Sequence, residues 1–517
     1  MKKITGLVII LAVLILGGYY GMGVMTERTL KNNLAIVNQS NGLYAEVISY
    51  NRGWFESQAL LNWSLHVPAR LMKSANGQME SVPAQDYRVA MPLIVYHGPV
   101  IFADHGIQLG LGYAHTDLVL PSNLLEQFNA YFTKESTEPK MDVSLFVDYL
   151  NNSQIKIDIP QFNLIAKQGT MTFDWMGMFS SMKTTASLSD IKGNFVIEGV
   201  RFSQDKMVST LGKVSGKYDL QKTDSGLFLG QASTVVPSVV ITNNDDKMFG
   251  VDEFVVDSMT NIQKDLFNAY FKTSVEKLFA NGRVYGPGRL EIAIKNLDAV
   301  VLANINAEIN KAQQSSDLEK QQAMLAILPE LPKLFAQGAV FEISTMNLVV
   351  PEGQVEGDLT VSLPAGSSAN PFELIQKVEG NGQLKLPVEL VKELVTLSLK
   401  QKLMSQSLAA VTTADPRTAG QAVVAGSAVE MTKAPTTTTT GTTVAGKATA
   451  GAANIRTPQS LADISQQAVA QTDQEINDMI QSGLLVRQGM KYLIAVKLNQ
   501  GQLMVNGKPF NAAMLKF

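Results

Sequence analysis

Along most of this chain apolar residues recur at every second position, the period of a strand that buries one face. Ile155, Ile157 and Ile159 alternate with Lys156 and Asp158, and Leu290, Ile292 and Ile294 repeat the pattern. Runs of this kind predict strands over residues 43–50, 60–67, 88–95, 107–113, 116–120, 155–159, 162–166, 171–175, 195–202, 215–220, 238–242, 290–297, 340–350 and 357–363. Phe341 and Ile343 are followed by Met346, Leu348 and Val350, a change of parity that predicts a bulge at Ser344-Thr345. A longer period predicts helices over 26–40, 122–132, 261–278 and 303–337, the last interrupted by Pro329 and Pro332. Leu390, Leu394 and Leu397 mark another helix, opening just after Pro387. Ser460 and Asp463 form a capping box for a helix through Ile464, Ala468, Ile476 and Ile480, with Gly483 near its end. A hairpin of 492–498 and 502–505 closes the chain, and Asn506-Gly507 adds a second tight turn.

Two stretches break these periods. Residues 409–456 hold Pro435, the run Thr436 to Thr440 and almost no large apolar side chains, a composition that cannot bury enough surface to order itself and predicts a flexible linker. At the other end, Lys2-Lys3 precede an uncharged run from Ile4 to Thr26. As a helix this run reaches roughly 34 Å at about 1.5 Å per residue, enough for a hydrocarbon core of about 30 Å. A retained membrane anchor is the preferred reading over a cleaved secretory signal, because the apolar stretch exceeds a usual signal core and Tyr19-Tyr20 stand where an interfacial belt would lie. Lys2 and Lys3 then stay cytoplasmic and the body is exported. The domain plan is an anchor over 1–26, a β-rich body over 27–408, the linker over 409–456, and a C-terminal helix with hairpin over 457–517. The fold class is mainly β with minor α, an antiparallel, elongated or multi-part sheet body behind one N-terminal transmembrane helix.

Composition narrows the chemistry. The 517 residues contain no Cys, which removes disulfides, thiolate nucleophiles and Cys-ligated metal sites. A net charge of −3 gives no electrostatic case for nucleic acid. The four histidines are His66, His97, His105 and His115, three of them clustered near Asp104 and Asp117, but no helical metal-ligand spacing joins them. The pattern Ser-x-x-Lys occurs at Ser153, Ser180, Ser189, Ser203 and Ser274, too often to single out a nucleophile, and Gly-x-Ser-x-Gly and phosphate-binding loops are missing from the sequence. No catalytic, cofactor-binding or metal residue is assigned, and the chain is read as a non-enzyme without a cofactor. The most distinctive phrases are Arg52-Gly53-Trp54-Phe55 and Tyr96-His97-Gly98-Pro99. Both suit turns, with Gly supplying positive φ and Pro ending a strand. Beyond this preferred turn reading, the alternative is that Trp54 and Phe55 stack on a partner.

Those phrases carry a resemblance. The apolar N-terminus, Arg52-Gly53-x-Phe55-x-Ser57, His97-Gly98-Pro99 and Gly501-x-Leu503-x-Val505-Asn506-Gly507-Lys508 resemble, in that order, the YdgA-like family of bacterial envelope proteins. The resemblance implies an inner-membrane-anchored protein of a Gram-negative envelope with most of its chain in the periplasm. It supplies no catalytic residues, and the Thr-rich linker is not part of it. The expected role is an envelope scaffold or binding protein whose partners are the inner membrane and envelope proteins or lipid. Two other readings stay open: a lipid-handling protein with an apolar β groove, and a periplasmic hydrolase. The apolar faces either pack together as a dry sandwich, the preferred arrangement, or leave a groove.

Overall fold

The computed structural model describes residues 2–38, 43–67, 70–73, 79–103, 106–120, 122–313, 317–366, 376–413 and 461–511. They divide into two compact units, Met1–Leu384 with Val496–Leu503, and Lys385–Ala495 with Met504–Phe517. The first unit opens with α1 (Lys2–Val37) and β1 (Leu43–Arg52), β2 (Glu56–Val67), β3 (Arg70–Lys73), β4 (Met79–Val82), β5 (Gln85–His97), β6 (Ile101–Ala103), β7 (Gly106–Gln108) and β8 (Gly112–Leu118). After α2 (Ser122–Tyr131), β9 (Met141–Val147) and β10 (Ser153–Ile159) continue the same sheet, β1-β2-β5-β8-β9-β10, antiparallel throughout. From there the sheet runs on through Met178–Thr184, Asp190–Ile197, Val214–Lys222, Phe228–Asn243, Asp246–Gln263, Leu266–Ala280, Gly288–Asp298, Val340–Val350 and Gly353–Ser362.

Direct partners on antiparallel strands project to the same side of a sheet. One such row reads Ala114, Leu145, Ile155, Met182, Gly193, Tyr218, Ala232, Ser258, Phe271, Ile292, Ile343 and Leu359. The row beside it reads Val143, Ile157, Ser180, Phe195, Gly216, Thr234, Val256, Thr273, Leu290 and Met346. Neither contains a charge. The opposite side carries Lys156, Asn194, Lys217, Asp257, Lys272 and Glu291 in one register. The bulge expected at Ser344-Thr345 is present, and it returns Met346 to the side of Ile343. Glycines match rings across this face: a Cβ on Gly193 or Gly216 would run into Tyr218 or Phe195, so each ring lies over a bare backbone.

Most of these strands are creased. Thr172–Trp175 is followed at once by Met178–Thr184, Asp190–Ile197 by Val200–Gln204, and Met207–Leu211 by Val214–Lys222. Backbone bonds cross the crease from Met176 N–H to Gly199 O at 3.0 Å and from Glu198 N–H to Gly177 O at 2.8 Å. Gly177 and Gly199 sit there at φ 115 and 148, and Glu253 takes φ 49 in the long strand beyond. Alternation reverses parity at the crease: Phe173 and Trp175 form the apolar set before it, and Met178 and Met182 share the apolar side after it. The second leaf keeps its own uncharged row, Phe162, Trp175, Val200, Leu211, Val239, Val251 and Leu278.

The apolar side is covered at its two ends. Leu30 and Leu34 of α1 pack on Ala45, Ala59, Leu61, Leu93, Val95 and Ala114. At the far end the helices Ala299–Gln313, Asp317–Ile327 and Leu331–Phe335 pack through Ile305 and Leu334 against Ile294, Leu297 and Phe267. Between Asp148 and Asn268 the buried hydrophobic residues are only Val214 and Leu227. A dry sandwich would bury alternate residues completely, so the sandwich expectation gives way to a single layer whose apolar side is half-buried.

The second unit packs the helix Val388–Thr413 on the helix Leu461–Ser482 through Val388, Val391, Val395, Leu399, Ala468, Ile476 and Met479. Asn506 staples it: its side-chain amide donates to the carbonyls of Gly483 (3.0 Å) and Leu484 (2.9 Å) and accepts from Ala495 N–H (2.8 Å).

Several expectations need correction. Residues 261–278 are not helical. Lys264 and Asp265 both take positive φ and turn two long strands into a hairpin, and pairing on both sides outweighs the helical spacing of Ile262, Leu266 and Tyr270. The helix expected after Pro387 is present as Val388–Thr413; its partner helix meets the Val388-Val391-Val395 stripe, and Leu394 and Leu397 are exposed. The helix Val388–Thr413 falls in the second unit and runs into the start of the proposed linker; residues 414–456 lie outside the described residues, as does Ser460 of the capping box. Among the described residues no helix is long and apolar enough to cross a membrane; the side chains of residues 1–15, where the uncharged run begins, are outside that description. Nor can the whole of 4–26 be a span, since α1 packs on the β body from Tyr19 onward.

Candidate functional site

The two phrases singled out in the sequence come together around α1. Gly53 N–H bonds to Glu56 O at 3.0 Å, closing the β1–β2 turn and holding Trp54 and Phe55 at its tip. The turn needs Gly53 because a Cβ there would strike Glu56 O. The backbone N–H of His97 bonds to Phe55 O at 3.1 Å, so the end of β5 lies beside this turn. Tyr19 of α1 meets Phe55 edge-to-face with ring centres 4.8 Å apart and donates its hydroxyl to Val100 O at 2.7 Å. Tyr20 lies 5.7 Å from Trp54. Gly98, at φ 134, leaves room for the Tyr19 ring, and the Tyr149 hydroxyl bonds to the Pro99 carbonyl. Arg52 pairs with Glu27 of α1, which also takes Lys31 at 2.7 Å. Hydrogen bonds from Lys31 and Arg52 hold the Glu27 carboxyl below its usual range.

Beneath the helix lies His97, only 1% exposed, with Nε2 2.9 Å from the equally buried Ser57 hydroxyl. Its Nδ1 faces the Tyr19 backbone without reaching hydrogen-bond geometry, and Gly23 of α1 sits on the ring. Burial pushes the His97 pKa down, and the Arg52 charge adds to that. A Ser–His hydrogen bond is the geometry of an activated nucleophile. Here α1 seals the pair from solvent, leaving a substrate no route to the hydroxyl. The arrangement seats a helix.

The other histidines lie apart. His97 is on the α1 side of the sheet, whereas His115 faces the opposite side, where its Nε2 meets Asp117 at 2.8 Å. His66 pairs with Asp86 at 2.6 Å near the far ends of β2 and β5. His105 lies outside the described residues. Among the described residues no group of three or more His, Asp and Glu is placed to hold a metal. On the polar side a cleft of about 540 Å³ is edged by Lys217, Asp219, Asp257 and Lys272, whose alternating charges favour no one class of ligand.

What sequence reading left open is how the apolar sides join. Each strand advertised one greasy face, but only the register joins them. From β9 to Gly353–Ser362 that surface spans roughly 50 Å, at about 4.8 Å per strand. Its near end lies under α1, at the Arg52–Phe55 and His97–Pro99 phrases.

The whole chain, over residues 1–513, matches the family described as "Bacterial protein of unknown function (DUF945)". The chain belongs to the DUF945 family. The match supports the bacterial origin implied by the resemblance noted above, without carrying the finer YdgA-like name. No curated protein and no solved structure matches this DUF945 chain. Its candidate site is a helix seat at Arg52–Ser57 and His97–Val100, with an uncharged face leading away from it.

Proposed function

We propose that this protein is a membrane-tethered, lipid-handling protein of the bacterial envelope, in which the start of α1 sits in the inner membrane, the β body occupies the periplasm, and the uncharged side of the sheet takes acyl chains. The carrying observation is the register that sets Ile155, Met182, Ala232, Phe271 and Ile292 in one row, with the helix Ala299–Gln313 packing only at the far edge of strands 153–263, on Leu227 and Ile262. Such a face is costly in water, and each acyl CH₂ laid on it contributes about 0.8 kcal/mol. A scaffold that met only proteins would be served by polar and charged groups at its contact rim; here the first charges lie on the other side of the sheet. Lys2 and Lys3 ahead of the uncharged run support the orientation.

The test places a photoreactive phenylalanine analogue at Ile157 or Ile292 of the full chain in bacterial membranes, with Lys156 and Lys272 as polar-side controls. Mass spectrometry should find lipid adducts at the first pair and not at the second. Adducts confined to protein, or equal on both sides, would sink the reading.

A further inference from the structure

We propose that the end of the sheet from which α1 departs is itself a membrane-docking surface, with the bilayer interface as its occupant. The inference rests on the anchoring half of the reading above and is independent of whether the sheet carries lipid. Register brings three separate loops to this end: the β1–β2 turn beyond Arg52 and Ser57, the segment between His97 and Gly112, and the β9–β10 turn between Val147 and Ser153. Each loop exposes large apolar side chains. Trp54 is 57% exposed, Phe102 66%, Ile107 69%, Leu109 62% and Leu150 80%. On an ordinary soluble surface such residues are scattered singly; here they share one end of one sheet. Two of the nearby charges are engaged by the body, while Glu56 in the first turn is exposed. Arg52 is engaged by Glu27, and Asp148 accepts the backbone N–H groups of Leu150 (2.8 Å) and Asn152 (2.9 Å), which thrusts Leu150 to the tip of its turn.

The occupant follows from α1. Tyr19 is bound to Val100 and Phe55, so residues 4–18 project from the middle of this same end. Whatever meets Phe102 and Leu150 must also surround that apolar helix, and a bilayer does so where a soluble partner would not. Length points the same way. Fifteen residues of helix reach about 22 Å at about 1.5 Å each, short of a core of about 30 Å. A body standing off the surface would leave the anchor too short. A body dipping its aromatic and aliphatic loops into the interface removes the mismatch and adds Tyr20 and Trp54 to an interfacial belt.

The native chain has no Cys, so single labels are clean. The full chain carrying Phe102→Cys, Leu109→Cys or Leu150→Cys is labelled with an environment-sensitive fluorophore and reconstituted into phosphatidylethanolamine–phosphatidylglycerol vesicles. An Asp246→Cys label in the second leaf is the control. Nitroxide lipids labelled near the headgroup should quench the three loop labels at least two-fold and leave the control unchanged. If the protein floats with the vesicles but the loop labels are not quenched, docking is overturned and the anchor stands. If it does not float, anchor and docking fall together, while the photocrosslinking at Ile157 and Ile292 still judges lipid handling separately.

Discussion

Replacing Gly23 by Ala tests whether His97 and its neighbours form the seat of α1. A Cβ built on Gly23 lies 2.7 Å from His97 Cε1 and 2.9 Å from Nδ1, well inside normal contact of about 3.5–4.0 Å. The ring cannot easily yield, because its Nε2 is held 2.9 Å from the Ser57 hydroxyl in a buried site. Overpacking of this kind costs about 1–3 kcal/mol. The same change improves helix propensity by about 1 kcal/mol, so the net effect should be a loss of about 0–2 kcal/mol. Gly21→Ala isolates the propensity term, since nothing lies within 4 Å of a Cβ there. The two variants should thus differ by about 1–3 kcal/mol in the docking of α1, roughly 5- to 150-fold in its opening equilibrium. Hydrogen exchange of residues 24–37 in the full chain reads that ratio, with Gly21→Ala slowing exchange and Gly23→Ala not. In a His97→Ala background the Gly23→Ala penalty should vanish, giving a coupling energy. Equal effects of the two glycine substitutions, or no coupling to His97, would refute the helix-seat assignment.

Two other outcomes follow from the same geometry. Burial lowers the folded pKa of His97 below its ordinary 6.5, so the undocked state binds more protons as pH falls through that value. Docking of α1 should be full above about pH 7.5 and weaken from pH 6.5 downward; His97→Gln should flatten the response, and an unchanged pH profile in that variant would discard the assignment. At the crease, Gly199 sits at φ 148 with a would-be Cβ 2.8 Å from Met176 Sδ and 3.1 Å from Leu211 O, so Gly199→Ala should lose about 1–3 kcal/mol locally. Emission of Trp175, read in a Trp54→Phe, Trp63→Phe chain, should shift to a lower urea midpoint, and an unmoved midpoint would mean the crease carries no strain.

Much of this protein was legible in its residues. The alternation at Ile155–Ile159 and Leu290–Ile294, the parity change that marks the Ser344-Thr345 bulge, the Gly53 and Asn506-Gly507 turns and the helix closed by Gly483 are local facts. They follow from side-chain period and from φ preferences that each short segment carries alone. Tertiary structure decided the rest. Alternation says that a strand has an apolar side and not which neighbour shares it, so the uncharged row from Leu145 to Leu359 exists only through pairing of distant strands. Residues 261–278 carried a helical spacing that pairing with Asp246–Gln263 and Gly288–Asp298 overrode. Leu390, Leu394 and Leu397 marked the helix after Pro387, but its buried stripe at Val391 was set by the partner helix. The phrases at Arg52–Phe55 and His97–Pro99 looked alike as turn signals or partner contacts; folding α1 back over them buries His97 and makes them the seat of a helix. Register, docking and the choice between two plausible faces depend on which surfaces meet across the chain, and that energy is absent from any single segment.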